Sequence, residues 1–148
     1  MPKATLVLTV DVPPDFFFDV VTDYRRYPEF VPDLRYVRVV SESTDTSQID
    51  FEVHVIRTLR YTLSLEYERP SRVRWSLVSG DLMKRNEGSW EIEEAGPGRT
   101  RATYTLELKL GAMVPAAVTT RLAQAGLPAM LDQFKVRAEG LWKEQSTS

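Results

Sequence analysis

Between Met113 and Trp142 the residues Val118, Leu122, Ala125, Leu127, Met130, Leu131, Phe134, Ala138 and Leu141 recur at steps of three and four. That is the period of a helix with one apolar face. Arg121, Gln124, Asp132, Lys135, Arg137 and Glu139 fill the positions between. Pro115 suits a first helical turn, whereas Pro128, just after Gly126, cannot donate its backbone bond, so a bend or break is expected near 126–128. A long amphipathic helix needs something to cover its apolar side, and the preceding part of the chain reads as that cover, mostly strands with one apolar face. Such a helix laid across a curved antiparallel sheet encloses either a packed core or a cavity. Which of the two it encloses decides the function.

Residues 3–11 alternate, with Ala4, Leu6, Leu8 and Val10 on one side and Thr5, Val7 and Thr9 on the other, which predicts a strand. Val12-Pro13-Pro14-Asp15 ends it and opens a short helix, because proline is tolerated in a first turn and a carboxylate suits the positive end. Phe17, Val20, Val21 and Tyr24, with Phe18 close by, give that helix its buried side. A second helical turn follows at Tyr24–Pro32, kept short by Pro28 and Pro32. From Leu34 onward the period is two. Facing residues of an antiparallel pair have a constant sum of numbers, and this predicts several registers. Val37 faces Phe51 and Arg38 faces Asp50; Phe51 faces Leu65, Val53 faces Leu63 and Val55 faces Tyr61. Leu63 faces Leu77, Leu65 faces Trp75 and Tyr67 faces Val73, with Glu66 opposite Arg74 and Glu68 opposite Arg72 on the other side. Trp90 faces Leu106 and Ile92 faces Tyr104 around the turn Gly96-Pro97-Gly98. The expected architecture is α+β over residues 1–148 as a single domain. It has one strand, two short helices, six more strands and the long helix, with Glu144–Ser148 as a disordered tail.

Composition removes several chemistries. The chain of 148 residues has no cysteine and one histidine, which excludes disulfides, thiolate zinc sites, a cysteine nucleophile and multi-histidine metal sites. A formal charge of −2 gives no electrostatic footing for DNA and disfavours a ribosomal partner. The short Ala4–Val10 run makes no cleavable leader, and no apolar run reaches membrane-spanning length, so the expectation is a soluble cytoplasmic protein. His54 shares strand parity with Glu52 and Asp50 and is expected outside, as are Arg57, Arg60, Lys84 and Arg85. Asp15, Asp19 and Asp23 have the ordinary spacing of a solvated helix face. No phosphate loop, nucleophile elbow or metal motif is present, and no cofactor is expected.

The inward set comprises Phe51, Val53, Val55, Tyr61, Leu63, Leu65, Tyr67, Val73, Trp75, Leu77, Trp90, Ile92, Tyr104, Leu106 and Leu108. It holds two tryptophans and three tyrosines. Amphipathic rings either fill a core with their polar tips bonded to protein, or wall a pocket for an apolar ligand. Four stretches resemble the START-like (SRPBCC) helix-grip superfamily: Phe17–Asp23 running into Tyr27–Pro32, the strand pair around Val55–Leu65, Leu82–Ile92 with its Gly88-Ser89-Trp90, and Phe134–Glu139. The resemblance is closest to the coenzyme Q-binding and polyketide cyclase-dehydrase branch. It departs where Gly80-Asp81-Leu82-Met83 stands in place of a Gly-Pro-Phe turn.

What the resemblance implies is a helix-grip fold whose cavity, between a curved sheet of about seven strands and the C-terminal helix, binds or transports a lipid, quinone or polycyclic aromatic. The expected lining is Tyr61, Trp75, Leu77, Trp90, Tyr104, Leu106, Met130 and Phe134, the Met130 thioether being adaptable to varied apolar shapes. The Pro128 bend and the loop Ser79–Arg85 are the expected entrance. Leu82 and Met83 are either exposed for transient membrane contact or tucked in as a plug. An enzymatic alternative, a cyclase or dehydratase, would use Tyr61 or Tyr104 as a general acid. A third alternative is a protein- or ribosome-interaction module.

Overall fold

The computed structural model describes residues 3–55 and 57–147. The alternating segments form strands β1 (Lys3–Val10), β2 (Leu34–Glu42), β3 (Thr46–Val55), β4 (Arg57–Glu68), β5 (Arg72–Gly80), β6 (Met83–Glu94) and β7 (Thr100–Leu110). They make one open, curved antiparallel sheet in the order β1-β7-β6-β5-β4-β3-β2. β2 to β7 form a meander, and β1 pairs with β7 at the far edge. Between β1 and β2 the chain runs through helix α1 (Pro14–Val21) and a 3-10 turn at Tyr24–Glu29. Helix α1 starts where expected, with Pro13 as its N-cap, Pro14 first and Asp15 in the opening turn.

Two registers are as expected and two slide. Val37 faces Phe51 and Arg38 faces Asp50; Leu63, Leu65 and Tyr67 face Leu77, Trp75 and Val73. Phe51, however, faces Tyr61 rather than Leu65, and Val53 faces Leu59. Trp90 faces Tyr104 rather than Leu106, and Ile92 faces Ala102. The slides are by even numbers of residues, so every side chain keeps its face. The closing turns set these registers: one pairs Val55 directly with Arg57, and the other takes Gly96 and Gly98 at positive φ. The outer face carries exposed pairs such as Arg38–Asp50 at 3.0 Å and Arg60–Glu52 at 2.7 Å, each worth only about 0.2–1 kcal/mol.

The C-terminal stretch neither breaks nor stays regular. Helix α2 (Ala116–Arg121), capped by Pro115, runs into a π turn at Leu122–Gly126 and on into helix α3 (Leu127–Thr147). The amide of Leu127 donates to the carbonyl of Leu122, five residues back, which widens the helix where Pro128 withholds a donor. Helix α3 continues through the segment expected to be a disordered tail, and Ser146 Oγ donates to Trp142 O at 2.8 Å. Ser148 lies outside the described residues.

Val118, Leu127, Leu131, Phe134 and Ala138 of the expected apolar face are buried. The core falls into two clusters. The larger joins α1, the 3-10 turn, α3 and the sheet. The smaller gathers Val55, Leu59, Val114 and Val118 under α2. Among the described residues no helix is long and apolar enough to cross a membrane.

Candidate functional site

The inward faces of β3 to β7 present rings and aliphatic groups to α3, and the two layers do not close completely. A cavity of about 170 Å3 remains between them. Its aromatic wall is built in layers. Phe134 of α3 meets Tyr27, Phe30 and Trp90 edge-on, with ring centroids 5.2, 5.1 and 5.4 Å away. Tyr104 lies 4.9 Å from Trp90 and 5.4 Å from Trp75, and Tyr61 stacks on Phe51 at 5.4 Å. Leu127 and Met130 line the helix side. Pro32 and Asp33 are exposed and line the same space as half-buried Gly126 and Met130, so the cavity meets the surface between the 31–34 segment and the π turn. Asp33 holds a positive φ of 65° there, its carbonyl accepting from His54 N at 2.8 Å.

The position of Trp75 depends on a missing side chain. Trp75 pairs with Gly88 across β5 and β6. A Cβ on Gly88 would stand 2.4 Å from Trp75 Cζ2 and 2.3 Å from Thr105 O. The indole therefore lies in the notch that glycine leaves in the sheet. Its Nε1 donates to Asn86 Oδ1 at 3.0 Å, and Asn86 Nδ2 has Met83 Sδ at 3.7 Å.

Most polar tips in the wall are satisfied by the protein. Tyr27 donates to the carbonyl of Val21, Ser47 bonds the Tyr67 hydroxyl, and Tyr67 donates on to Tyr24 at 3.4 Å. Burial pushes the hydroxyls of Tyr24 and Tyr27 well above the usual phenol range, and neighbouring tyrosines add to it. Burial also raises Tyr61, and it raises Tyr104 with a further contribution from Tyr61. All four stay neutral in ordinary buffers. Asp33 at the rim is the one charged side chain among the described lining residues, and no group of metal-ligating side chains occurs among the described residues.

Of the eight residues expected to line the cavity, Tyr61, Trp75, Trp90, Tyr104, Leu106, Met130 and Phe134 do so. Leu77 does not. It packs half-buried against the core edge, because β5 pairs with β6 only as far as Trp75 and Leu77 lies beyond that point. The segment 79–85 is not an entrance loop either. β5 runs to Gly80 and β6 begins at Met83, leaving Asp81-Leu82 as a tight turn with Leu82 at φ 62°. Leu82 is half-buried against the smaller cluster, and Met83 is buried and lines the cavity, the plug-like arrangement rather than the exposed one. His54, Arg57, Arg60 and Lys84 are exposed as expected; Arg85 is half-buried, paired with Glu87 and Glu107. Asn86, Gly88, Tyr24 and Tyr27 are among the contributors that the sequence reading passed over, with Leu59 and the 31–34 segment. The even parity shared with Trp90 marked Asn86 and Gly88 as inward.

A family model described as polyketide cyclase / dehydrase and lipid transport matches residues 10–135. The chain belongs to this family. Solved structures share the fold at low identity. A START superfamily protein from Mycobacterium smegmatis superposes with a TM-score of 0.81 at 18% identity, covering 94% of this chain and 98% of that one. The Zhui aromatase/cyclase from Streptomyces sp. R1128 gives 0.83 at 15%, covering 93% of each. A STAR-related lipid transfer protein from Xanthomonas axonopodis gives 0.79 at 12%, covering 92% and 85%. Comparison with curated proteins finds no match. In this member of the cyclase/dehydrase and lipid-transport family, the space under the helix is walled by rings and carries no charge in its interior.

Proposed function

We propose that this protein binds and carries a compact, ring-bearing apolar small molecule in the cavity beneath α3. The observation that carries this reading is a surface-connected, uncharged, aromatic-walled void where a packed core would leave none larger than a water molecule. At about 170 Å3 it is close to the roughly 150 Å3 of an engineered cavity that takes up benzene, and below the roughly 300–1,000 Å3 of drug-sized sites. One or two fused rings match it. A long acyl chain or an extended polycycle would need the 31–34 segment and the π turn to part.

The cyclase–dehydratase alternative requires Tyr61 or Tyr104 to deliver a proton near neutral pH. Burial drives both phenols away from that range, and a general acid works best with a pKa near the operating pH. Holding a ligand asks nothing of the sort. The test is a titration with naphthalene followed by its own fluorescence, alongside native mass spectrometry of gently purified protein for a co-purifying apolar compound. Met130→Trp, which fills the helix side of the void, is expected to weaken the probe at least about tenfold. Arg74→Ala on the outer face is expected to leave it as it was; equal effects would sink the reading.

A further inference from the structure

We infer that the guest is a neutral molecule that presents a hydrogen-bond-accepting oxygen, of the carbonyl or ether kind, to a donor cluster of Tyr61, Tyr104 and Asn86, and that carboxylates are rejected. This rests on the cavity being a binding site, as proposed above, and adds the chemical class of what it holds. The phenols packed between sheet and helix fall into two kinds. Tyr27, Tyr24 and Tyr67 commit their hydroxyls to protein partners. Tyr61 and Tyr104 line the cavity and have no such partner among the described residues.

Among the described residues no buried side-chain oxygen or nitrogen is sealed away without a partner. The two phenol oxygens therefore border open space, and that space is the cavity they line. Asn86 is similarly placed. It is 7% exposed and lines the cavity; its carbonyl is taken by Trp75 Nε1, while its amide faces only the Met83 sulfur at 3.7 Å, a weak acceptor. Tyr61 is close enough to Tyr104 to raise its phenol further, and Trp75 links Tyr104 to Asn86. It is bonded to Asn86 on one side and lies 5.4 Å from the Tyr104 ring on the other.

The free polar groups of the wall can all donate, the two phenols through their O–H and Asn86 through its amide. Lys, Arg and His are absent from the described lining, and Asp33 at the rim is acidic. A ligand carboxylate would be buried with no cation to pair with, which is strongly unfavourable. A purely hydrocarbon ligand would enter but leave the phenols and the amide without acceptors, and unpaired buried donors carry a penalty of their own. A neutral ring system bearing one accepting oxygen satisfies both the apolar wall and the donor cluster.

The test compares three naphthalenes of matched shape by calorimetric titration: 2-acetylnaphthalene, 2-ethylnaphthalene and 2-naphthoate. The ketone is expected to bind about three- to tenfold more tightly than the hydrocarbon, as one or two net hydrogen bonds imply. The carboxylate should be the weakest, by at least about tenfold. In the double variant Tyr61→Phe, Tyr104→Phe the ketone-to-hydrocarbon ratio is expected to fall toward one, whereas Tyr36→Phe, on an exposed ring, keeps it. Ketone and hydrocarbon binding equally to the wild-type protein, or the carboxylate binding best, would overturn the inference while leaving the cavity a binding site. If none of the three binds, the proposed function itself fails, and the inference with it.

Discussion

Replacing Gly88 by alanine tests the layered wall at its most constrained point. The added Cβ would lie 2.3 Å from Thr105 O and 2.4 Å from Trp75 Cζ2, far inside van der Waals contact. Neither neighbour yields easily. Thr105 O belongs to the paired strand, in register with Ser89, and the indole is held by Asn86 at 3.0 Å and by Tyr104 at 5.4 Å. Overpacking a core commonly costs about 1–3 kcal/mol. If the indole moves off Asn86, a buried carbonyl loses its donor, at about 1–3 kcal/mol more. The expected destabilisation is therefore about 2–6 kcal/mol, and at roughly 2–4 °C per kcal/mol for a chain of this size the drop in Tm is roughly 4–24 °C. Thermal melts followed by far-UV circular dichroism measure it. Tryptophan emission at room temperature then reports whether the indole has shifted into the cavity, where it would also weaken the binding of naphthalene. A Gly88→Ala protein with the wild-type Tm and emission would refute the claim that the indole occupies the glycine's place.

Gly140→Ala is the opposite case, because nothing lies within 4 Å of its would-be Cβ on α3; alanine there should raise stability by about 0.5–1 kcal/mol, read as a higher midpoint in urea. Phe134→Ala removes a 1% exposed ring at the centre of the aromatic cluster and should cost about 3–5 kcal/mol by the same titration. Raising the pH should destabilise the fold above 10, the usual phenol value. There the unfolded chain releases the protons of Tyr24, Tyr27, Tyr61 and Tyr104, while the folded chain, with all four raised, keeps them. The folded state then binds more protons, so stability falls with pH at about 1.4 kcal/mol per unit for each tyrosine. Denaturation midpoints that stay flat from pH 9 to 11 would contradict the burial of these rings.

Which side of each strand turns inward was legible in the sequence, because alternation with period two fixes the face of every residue. Alternation does not fix how far one strand slides along the next. Phe51 opposite Leu65 and Phe51 opposite Tyr61 both set apolar against apolar, and only the closeness of the Val55–Arg57 turn selects the second. Lining residues contributed by rings or by the helix stripe, such as Trp90, Tyr104 and Phe134, stood out by type. Asn86 and Gly88 did not: parity with Trp90 turns them inward, but an amide and a glycine give no cue by type that the indole of Trp75 lies across them. The Leu82 conformation was equally hidden, because a left-handed leucine has no local sequence cue and is held by packing against the cluster under α2.

The π turn adds one residue to a helical repeat, and each residue turns the helix by about 100°. The apolar stripe of α2 is thereby rotated out of line with that of α3, so Val118 looks toward Leu59 while Leu131 and Phe134 look toward the large cluster. Two segments that share an axis are thus anchored separately, and the front one grips the sheet through only a handful of aliphatic contacts. Amide hydrogens of residues 116–121 should consequently exchange with solvent through local opening, well before those of the aromatic-anchored segment behind them. The stretch that flanks the mouth is thus tethered more lightly than the aromatic-anchored segment behind it.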